Sequence, residues 1–461
     1  MFIVKNKLYS KLDLNMKQYI MMPILALCAM NIAAQNFDTK PSVTVDNEKE
    51  NMQFTVGARF MADAAYYNSN FTPMKSGAAI TDARIRTSFK YKDWNFYADF
   101  GFGGGKFSQK NIFLQYTQRD NSGATHAIKG GYYTDPASSM ARTTSLGSYH
   151  FISRAGSANA LGEGRELGIT YKYNSNKFMA YQGIFTENQY NAQQAGFNGF
   201  VAAGRYIYRP IATGDQTLAI GANIRYQHVG GGVVEKNVLK KNLHLGQSME
   251  SYVDPTDKFV SCDLPWAENV IDAGAEALYH NDKFFIRGEY LYKHVTKKRD
   301  SKTLFDVTNN TIDTWGTLDI WISANPLRAN SFHGGYVELG YMIFGDAYKY
   351  DSENGTLKGL SGRSLEVVAR YNYTGLNDIL AGEYFSAGRN QYYPSGQMQD
   401  WPFKSTSVGG GNINSVTLGL NYSFNKYAQV MLDYTYHNLK KDFLPYDKNF
   451  HQVQARMQFV F

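Results

Sequence analysis

The sequence predicts an all-β fold: one transmembrane antiparallel β-barrel of sixteen strands, with long extracellular loops and mostly short periplasmic turns. Three observations carry this prediction. Apolar and polar residues alternate with a period of two along most of the chain, short and long links alternate between the periodic segments, and the last segment ends on an aromatic residue, Phe461.

The alternation is clear near the start. Met52, Phe54, Val56, Ala58, Phe60, Ala62, Ala64 and Tyr66 share one face, and Gln53, Thr55, Arg59 and Asp63 the other. It is equally clear at the end, where Val453, Ala455, Met457, Phe459 and Phe461 alternate with Gln452, Gln454, Arg456, Gln458 and Val460. Between them the pattern predicts strands at 52–67, 80–91, 94–102, 111–118, 125–134, 165–173, 178–186, 199–208, 217–228, 271–279, 283–295, 335–344, 363–374, 414–424, 427–437 and 450–461. The total is even, as expected for a bacterial single-chain barrel.

The links add independent evidence, because such barrels join strands by short periplasmic turns and longer external loops. Lys92-Asp93, Arg119 to Ala124, Asn174 to Lys177, His280 to Asp282 and Asn425-Lys426 are short. The stretches around 135–164, 229–270, 296–334 and 375–413 are long and stand where the third, fifth, sixth and seventh external loops belong. One link, 345–362, breaks the rule: it is long on the periplasmic side.

Composition fits one barrel domain. No Pro- or Ser-rich linker divides the chain, its 35 Tyr and 29 Phe suit interfacial girdles, and half of each strand is polar. Lys5, Lys7, Lys11 and Lys17 lead into an apolar run from Tyr19 to Ala34, which reads as a signal peptide over 1–34, with Met16 as an alternative start. Its removal takes four Lys and Asp13, so the formal charge falls from +7 to +4, too small an excess to imply nucleic-acid binding. Residues 35–50 read as a flexible periplasmic tail and 51–461 as the barrel. Cys28 lies in the leader behind Leu27, too large for a lipoprotein cleavage site. Cys262 alone then remains, so no intramolecular disulfide is expected. Beyond the leader no run of 18 apolar residues exists, which excludes a helical membrane protein. The glycine-rich stretch Phe100 to Phe107 fails phosphate-loop spacing, Asp351, Glu353 and Gly355 fail the calcium-loop order, and the His residues lack metal-ligand spacing; no cofactor or metal is expected.

Several segments resemble the phosphate-selective porin O and P family. They are Asp82-Ala83-Arg84-Ile85-Arg86 running through Trp94 to Phe100, Ile112 to Tyr116, Gly164-Arg165-Glu166-Leu167-Gly168, Val368 to Tyr373, Leu418 to Tyr422, and Gln454 to Phe459. The resemblance spans about residues 50–461. It implies a sixteen-stranded, usually trimeric outer-membrane porin of a Gram-negative bacterium. In that family the third external loop folds inward and Arg and Lys line the channel for anions such as phosphate. It also implies that Phe461 serves as an assembly signal for the barrel-assembly machinery.

Strand parity gives the lumen-facing charges. The bases are Arg59, Arg84, Arg86, Lys90, Lys129, Lys172, Arg205, Arg225, Arg287, Lys293, Arg370 and Arg456. The acids are Asp63, Asp82, Asp99, Glu166, Asp272, Glu276, Glu289, Glu338, Glu366 and Asp433. Neighbouring strands are expected to pair about half of these in ladders that stiffen the wall. Arg84, Arg86 and Lys90 share a strand with only Asp82 opposing, beside a strand bearing Arg59, which predicts one positive arc of wall. Arg142 and Arg154 on the loop 135–164, with Arg165 just after it, complete the expected anion-contacting set. Two other readings compete with a diffusion channel in outer-membrane lipid: an adhesin or receptor using the long loops, and a barrel lipase. The lipase needs Ser, His and an acid to meet on the outer wall, where the strand pattern puts no His.

Overall fold

The computed structural model describes residues 43–461 apart from 69–73, 187–198, 231–233, 236–237, 240–241, 255–258, 266, 298–327, 387–390, 395–406 and 443–447. The expected leader, and the start of the expected tail, lie outside the described residues.

Sixteen antiparallel strands close into a barrel. We number them β1 (Met52–Asn68), β2 (Gly77–Tyr91), β3 (Trp94–Gly101), β4 (Ser108–Arg119), β5 (Thr125–Thr134), β6 (Arg165–Asn174), β7 (Phe178–Thr186) and β8 (Phe200–Ala212). The second half comprises β9 (Thr217–His228), β10 (Ala267–Asn281), β11 (Phe284–Lys297), β12 (Asn330–Phe344), β13 (Ser364–Asp378), β14 (Val408–Ser423), β15 (Ala428–Lys440) and β16 (Asn449–Val460). All sixteen sequence-predicted segments are found. Closure comes from β1 against β16, in a register that pairs Phe60 with Phe459 and Ala64 with Ala455. Closure leaves no sheet edge in lipid, where unsatisfied backbone groups cost several kcal/mol each. Val43–Asn47, inside the segment read as a tail, is a short strand on the same edge of β1, pairing Thr44 with Thr55 where β16 has ended.

The outward positions of the pattern are exposed and apolar: Phe54, Ile128, Ile184, Leu418 and Met457 are 43–62% exposed. In water such a surface would be an aggregation hazard, whereas in a bilayer it is the solvated face.

The inside is the more informative half, because much of it is filled. The third external loop, 135–164, folds into the lumen and carries helix α1 (Met140–Thr143) and helix α2 (Gly156–Leu161). Ser139 caps α1 by accepting from Ala141 N and also donates to Glu289 on β11. Tyr149 donates to Glu338, Ile152 N to Asp433 and Ser157 N to Asn372, so the loop is tied to β12, β13 and β15. Gly334 lets α2 approach the wall: a Cβ there would lie 2.8 Å from the Tyr373 carbonyl and 2.9 Å from Ser157 Cβ. The fifth loop contributes a hairpin, Asn242–Gln247 with Val260–Pro265, whose tip at Met249 and Glu250 is also buried in the lumen.

The long link 345–363 rises into the barrel from the other rim. Its hairpin, Tyr350–Asp351 with Thr356–Leu357, docks on Arg205 and Arg209 of β8: Arg205 donates to the Asn354 and Gly355 carbonyls, and Arg209 to that of Ser352. Gly355 has φ +65° and sits so close to Ile207 that a Cβ would come within 2.3 Å of it, so glycine meets both demands. These three insertions meet in one apolar cluster that includes Met140, Phe151 and Leu161 from the third loop, Leu245, Val260 and Leu264 from the fifth, Tyr348 and Leu357 from the link, and Phe285, Tyr336 and Phe450 from the wall.

Candidate functional site in the barrel lumen

Strand parity puts the predicted charges inside, and the inserted segments then divide them into two groups. The first group is locked. Arg205 forks onto Glu276 at 2.7 and 2.9 Å, and Arg456 onto Asp63 at 2.7 Å through both nitrogens. Arg287 donates to Glu338 at 2.6 Å, and Arg370 reaches Glu250 of the fifth loop at 2.9 Å and the Ser153 carbonyl of the third at 2.8 Å. Arg225 sits among Asp135, Glu166 and Asp272 at 2.6–3.2 Å. Lys293 bridges Asp272 and Glu163, and Lys172 holds Glu353 of the periplasmic link. All are buried. A charge-assisted fork in a dry interior is strong only because both partners are present, so these residues anchor the insertions. The expected pairing of about half the lumen charges is therefore an underestimate on the β8–β16 side. Burial pushes the Glu163 carboxyl up, but Lys293 and Arg225 outweigh it and hold its pKa down at about 2.

His150 ties the two rims together. Its Nδ1 faces both oxygens of Glu366 at 3.0 and 3.1 Å, and its Nε2 faces the Lys358 carbonyl of the periplasmic link at 3.2 Å.

The second group lies along β1–β6. Arg59 pairs with Asp82 and donates to Ser145 Oγ at 2.9 Å, while Arg84 bridges Asp82 at 2.7 Å and Asp99 at 3.1 Å. The two arginines are direct cross-strand neighbours, and Asp82 between them relieves the repulsion. Arg86 makes no ion pair with an Asp or Glu side chain among the described residues and donates to the oxygen of the last residue, Phe461, at 3.3 Å. Arg165 donates to Asn111 at 2.7 Å, Lys129 to the Tyr181 hydroxyl at 3.1 Å, and Lys90 is exposed at the periplasmic end of β2. The lumen-facing side chains of Arg84, Arg86, Ser88, Tyr97, Phe113 and Lys129 are half-buried, in contrast to the buried wall opposite.

Arg142 and Arg154 hold the third loop together. Arg154 donates to the Ala141 and Thr144 carbonyls at 2.6 and 2.8 Å, and Arg142 to the Glu163 carbonyl at 3.0 Å. Burial and the nearby Arg154 charge lower the Arg142 pKa.

Lys110 escapes the parity rule. The β3–β4 register shifts between Ala98 and Phe100, so that Lys110 and Asn111 together face the single residue Asp99. This bulge turns Lys110 inward, onto a cavity of about 210 Å³ that it lines with Asp82, Arg84, Ser108, Tyr252 and Arg456. Among the described residues Lys110 makes no ion pair. Gly101, flanked by Lys110 and Ser108, leaves room for it.

A closed sixteen-stranded barrel with an apolar belt, a polar lumen and loops folded inward is a channel of the Gram-negative outer membrane. Residues 54–461 match the family model of the phosphate-selective porins O and P, so the chain belongs to that porin family. The solved structure of OmpT from the outer membrane of Vibrio cholerae is similar at TM-score 0.51 and 10% identity, covering 91% of this chain and 100% of that one. An anion-selective porin from Comamonas acidovorans gives TM-score 0.49 and 10% identity, over 89% and 100% of the two chains. OmpF of Salmonella typhi gives TM-score 0.46 and 11% identity, over 91% and 100%. No curated protein sequence matches the chain.

Proposed function

We propose that this porin carries small anions along the β1–β6 side of its lumen. The observation that carries this reading is the imbalance on that wall. Asp82 and Asp99 are taken up by Arg59 and Arg84, and Lys110 and Arg165 remain without a carboxylate partner among the described residues, while Arg86 has no Asp or Glu partner and meets only the terminal Phe461 oxygen at 3.3 Å. An unpaired cation beside a low-dielectric wall attracts anions over a longer reach than one in bulk water, and its field is only partly screened by salt. Arg86 and Arg165 keep donors free for a carboxylate or phosphate, and Lys110 adds a point charge. Phosphate is a natural permeant on this chemistry, and the family match is consistent with it. Passive diffusion needs no catalytic group, so the protein acts as a channel and not as an enzyme. Trimerisation is proposed on the resemblance, and an OmpT structure of Vibrio cholerae is described as a trimer form.

Replacing Arg86 and Lys110 with Gln tests the reading. Neither holds an Asp or Glu partner, and Arg86 meets the Phe461 oxygen only at 3.3 Å, so the barrel is expected to fold, and the reversal potential in a salt gradient is expected to shift toward cation permeation. An unchanged potential in the double variant contradicts the assignment.

A further inference from the structure

Below the basic cluster, on the same half-buried wall, Lys129 of β5 stands in a ring of aromatic side chains. Its Nζ lies 4.6 Å from the centre of the Phe113 ring, 5.1 Å from Tyr133 and 5.5 Å from Tyr181, and it donates to the Tyr181 hydroxyl at 3.1 Å. Tyr97 stacks on Phe113 with centroids 5.1 Å apart and planes 17° from parallel. No carboxylate pairs with Lys129 among the described residues, in contrast to Lys172 and Lys293, which are buried and held by acids.

The difference matters chemically. A carboxylate neutralises a lysine, whereas aromatic faces stabilise the ammonium through the ring quadrupole and leave its charge in place. Phe113, Tyr97, Tyr181 and Lys129 all keep part of their surface exposed. A solute that meets them finds one cation and flat apolar surfaces side by side. Inorganic anions use only the first of these. A planar ring bearing a carboxylate uses both, because its ring fits offset or edge-on against Tyr97, Phe113 and Tyr181 while its carboxylate reaches Nζ.

We infer that Lys129 with Tyr97, Phe113, Tyr133 and Tyr181 forms a binding station for aromatic carboxylates within the channel. The inference deepens the proposed anion path and rests on it, since the station lies on the same wall and extends it to Tyr181 of β7. It separates two tasks: the basic cluster admits anions in general, and the aromatic ring around Lys129 discriminates among organic ones by shape.

The test is calorimetric titration of the folded, detergent-solubilised protein with benzoate and with cyclohexanecarboxylate, which share charge and approximate size but differ in planarity. Benzoate is expected to bind about tenfold more tightly, the scale of one or two good aromatic and cation–π contacts. Lys129→Gln is expected to abolish benzoate binding, and Phe113→Leu, which keeps an apolar side chain, to remove the preference over cyclohexanecarboxylate. Equal affinities for the two acids, no benzoate binding, or binding unchanged in Lys129→Gln overturns the inference. Chloride-over-potassium preference of the same protein in bilayers reports the general path separately. Loss of that preference defeats the anion channel, while its persistence beside undiscriminated benzoate defeats the station alone.

Discussion

Arg370 and Arg86 show how differently two lumen arginines can behave. Arg370 is 2% exposed, paired with Glu250, and 3.5 Å from Glu338. Arg370→Ala would leave those carboxylates short of a partner in a dry interior, and the loss is expected at about 3–5 kcal/mol. Arg86 has only a long, 3.3 Å contact to the oxygen of the last residue, Phe461, and a half-buried side chain, so Arg86→Gln is expected to cost less than about 1 kcal/mol. Denaturant midpoints of the two variants in detergent check the contrast, and similar losses would contradict it. At this scale the sequence was legible in direction and less so in role. Period-two alternation put Arg205, Arg225, Arg287, Arg370 and Arg456 inside, but their partners come from segments far away in sequence, such as Glu250 for Arg370. Lys110 was hidden because a bulge breaks the parity on which the inventory depends.

Among the elements, the third loop and the periplasmic link bear on the channel most directly. Glu163 helps anchor the third loop through Lys293 at 2.5 Å. Because its folded pKa is held down at about 2, the stabilisation is fully present above the ordinary glutamate range and is lost only as pH falls through that folded value. The open-channel current is therefore expected to be steady from pH 7 to about pH 4, and Glu163→Gln to loosen the loop at neutral pH, read as added current noise. Loosening of the wild-type loop already at pH 5 would contradict the assignment. For the link, excising the hairpin from Tyr350 to Leu357 should empty the space against β8 and raise single-channel conductance; unchanged conductance would mean that the hairpin does not narrow the path. The inward fold of the third loop came from the family resemblance. The link could be seen only as an over-long turn, although Tyr348, Tyr350 and Leu357 are apolar enough to ask for burial. The fifth-loop hairpin was likewise read as external, because its strands are short and bury their apolar side chains against wall strands and loops far away in sequence.

At the scale of the whole molecule, closure and filling act together. Every strand is paired with two neighbours, and the lumen is cross-tied by buried ion pairs. Such a barrel should resist unheated detergent and change its electrophoretic migration on boiling, and a band that migrates alike before and after would contradict a closed barrel. The filling is asymmetric, however. The β8–β16 wall is buried beneath the third loop, the fifth-loop hairpin and the periplasmic link, while the wall around Arg86, Ser88 and Tyr97 stays half-buried. The proposed anion path depends on this division of the lumen, and thiol labelling of single cysteines during current recording tests it most directly. The native thiol is replaced first with Cys262→Ser, although burial pushes its pKa up to about 12 and leaves it poorly reactive. In that background Ser88→Cys is expected to lose current on addition of a charged methanethiosulfonate, and Thr435→Cys, on the buried wall at 1% exposure, to be unaffected. Block at Thr435→Cys with none at Ser88→Cys would place the current on the opposite side of the barrel and contradict the account.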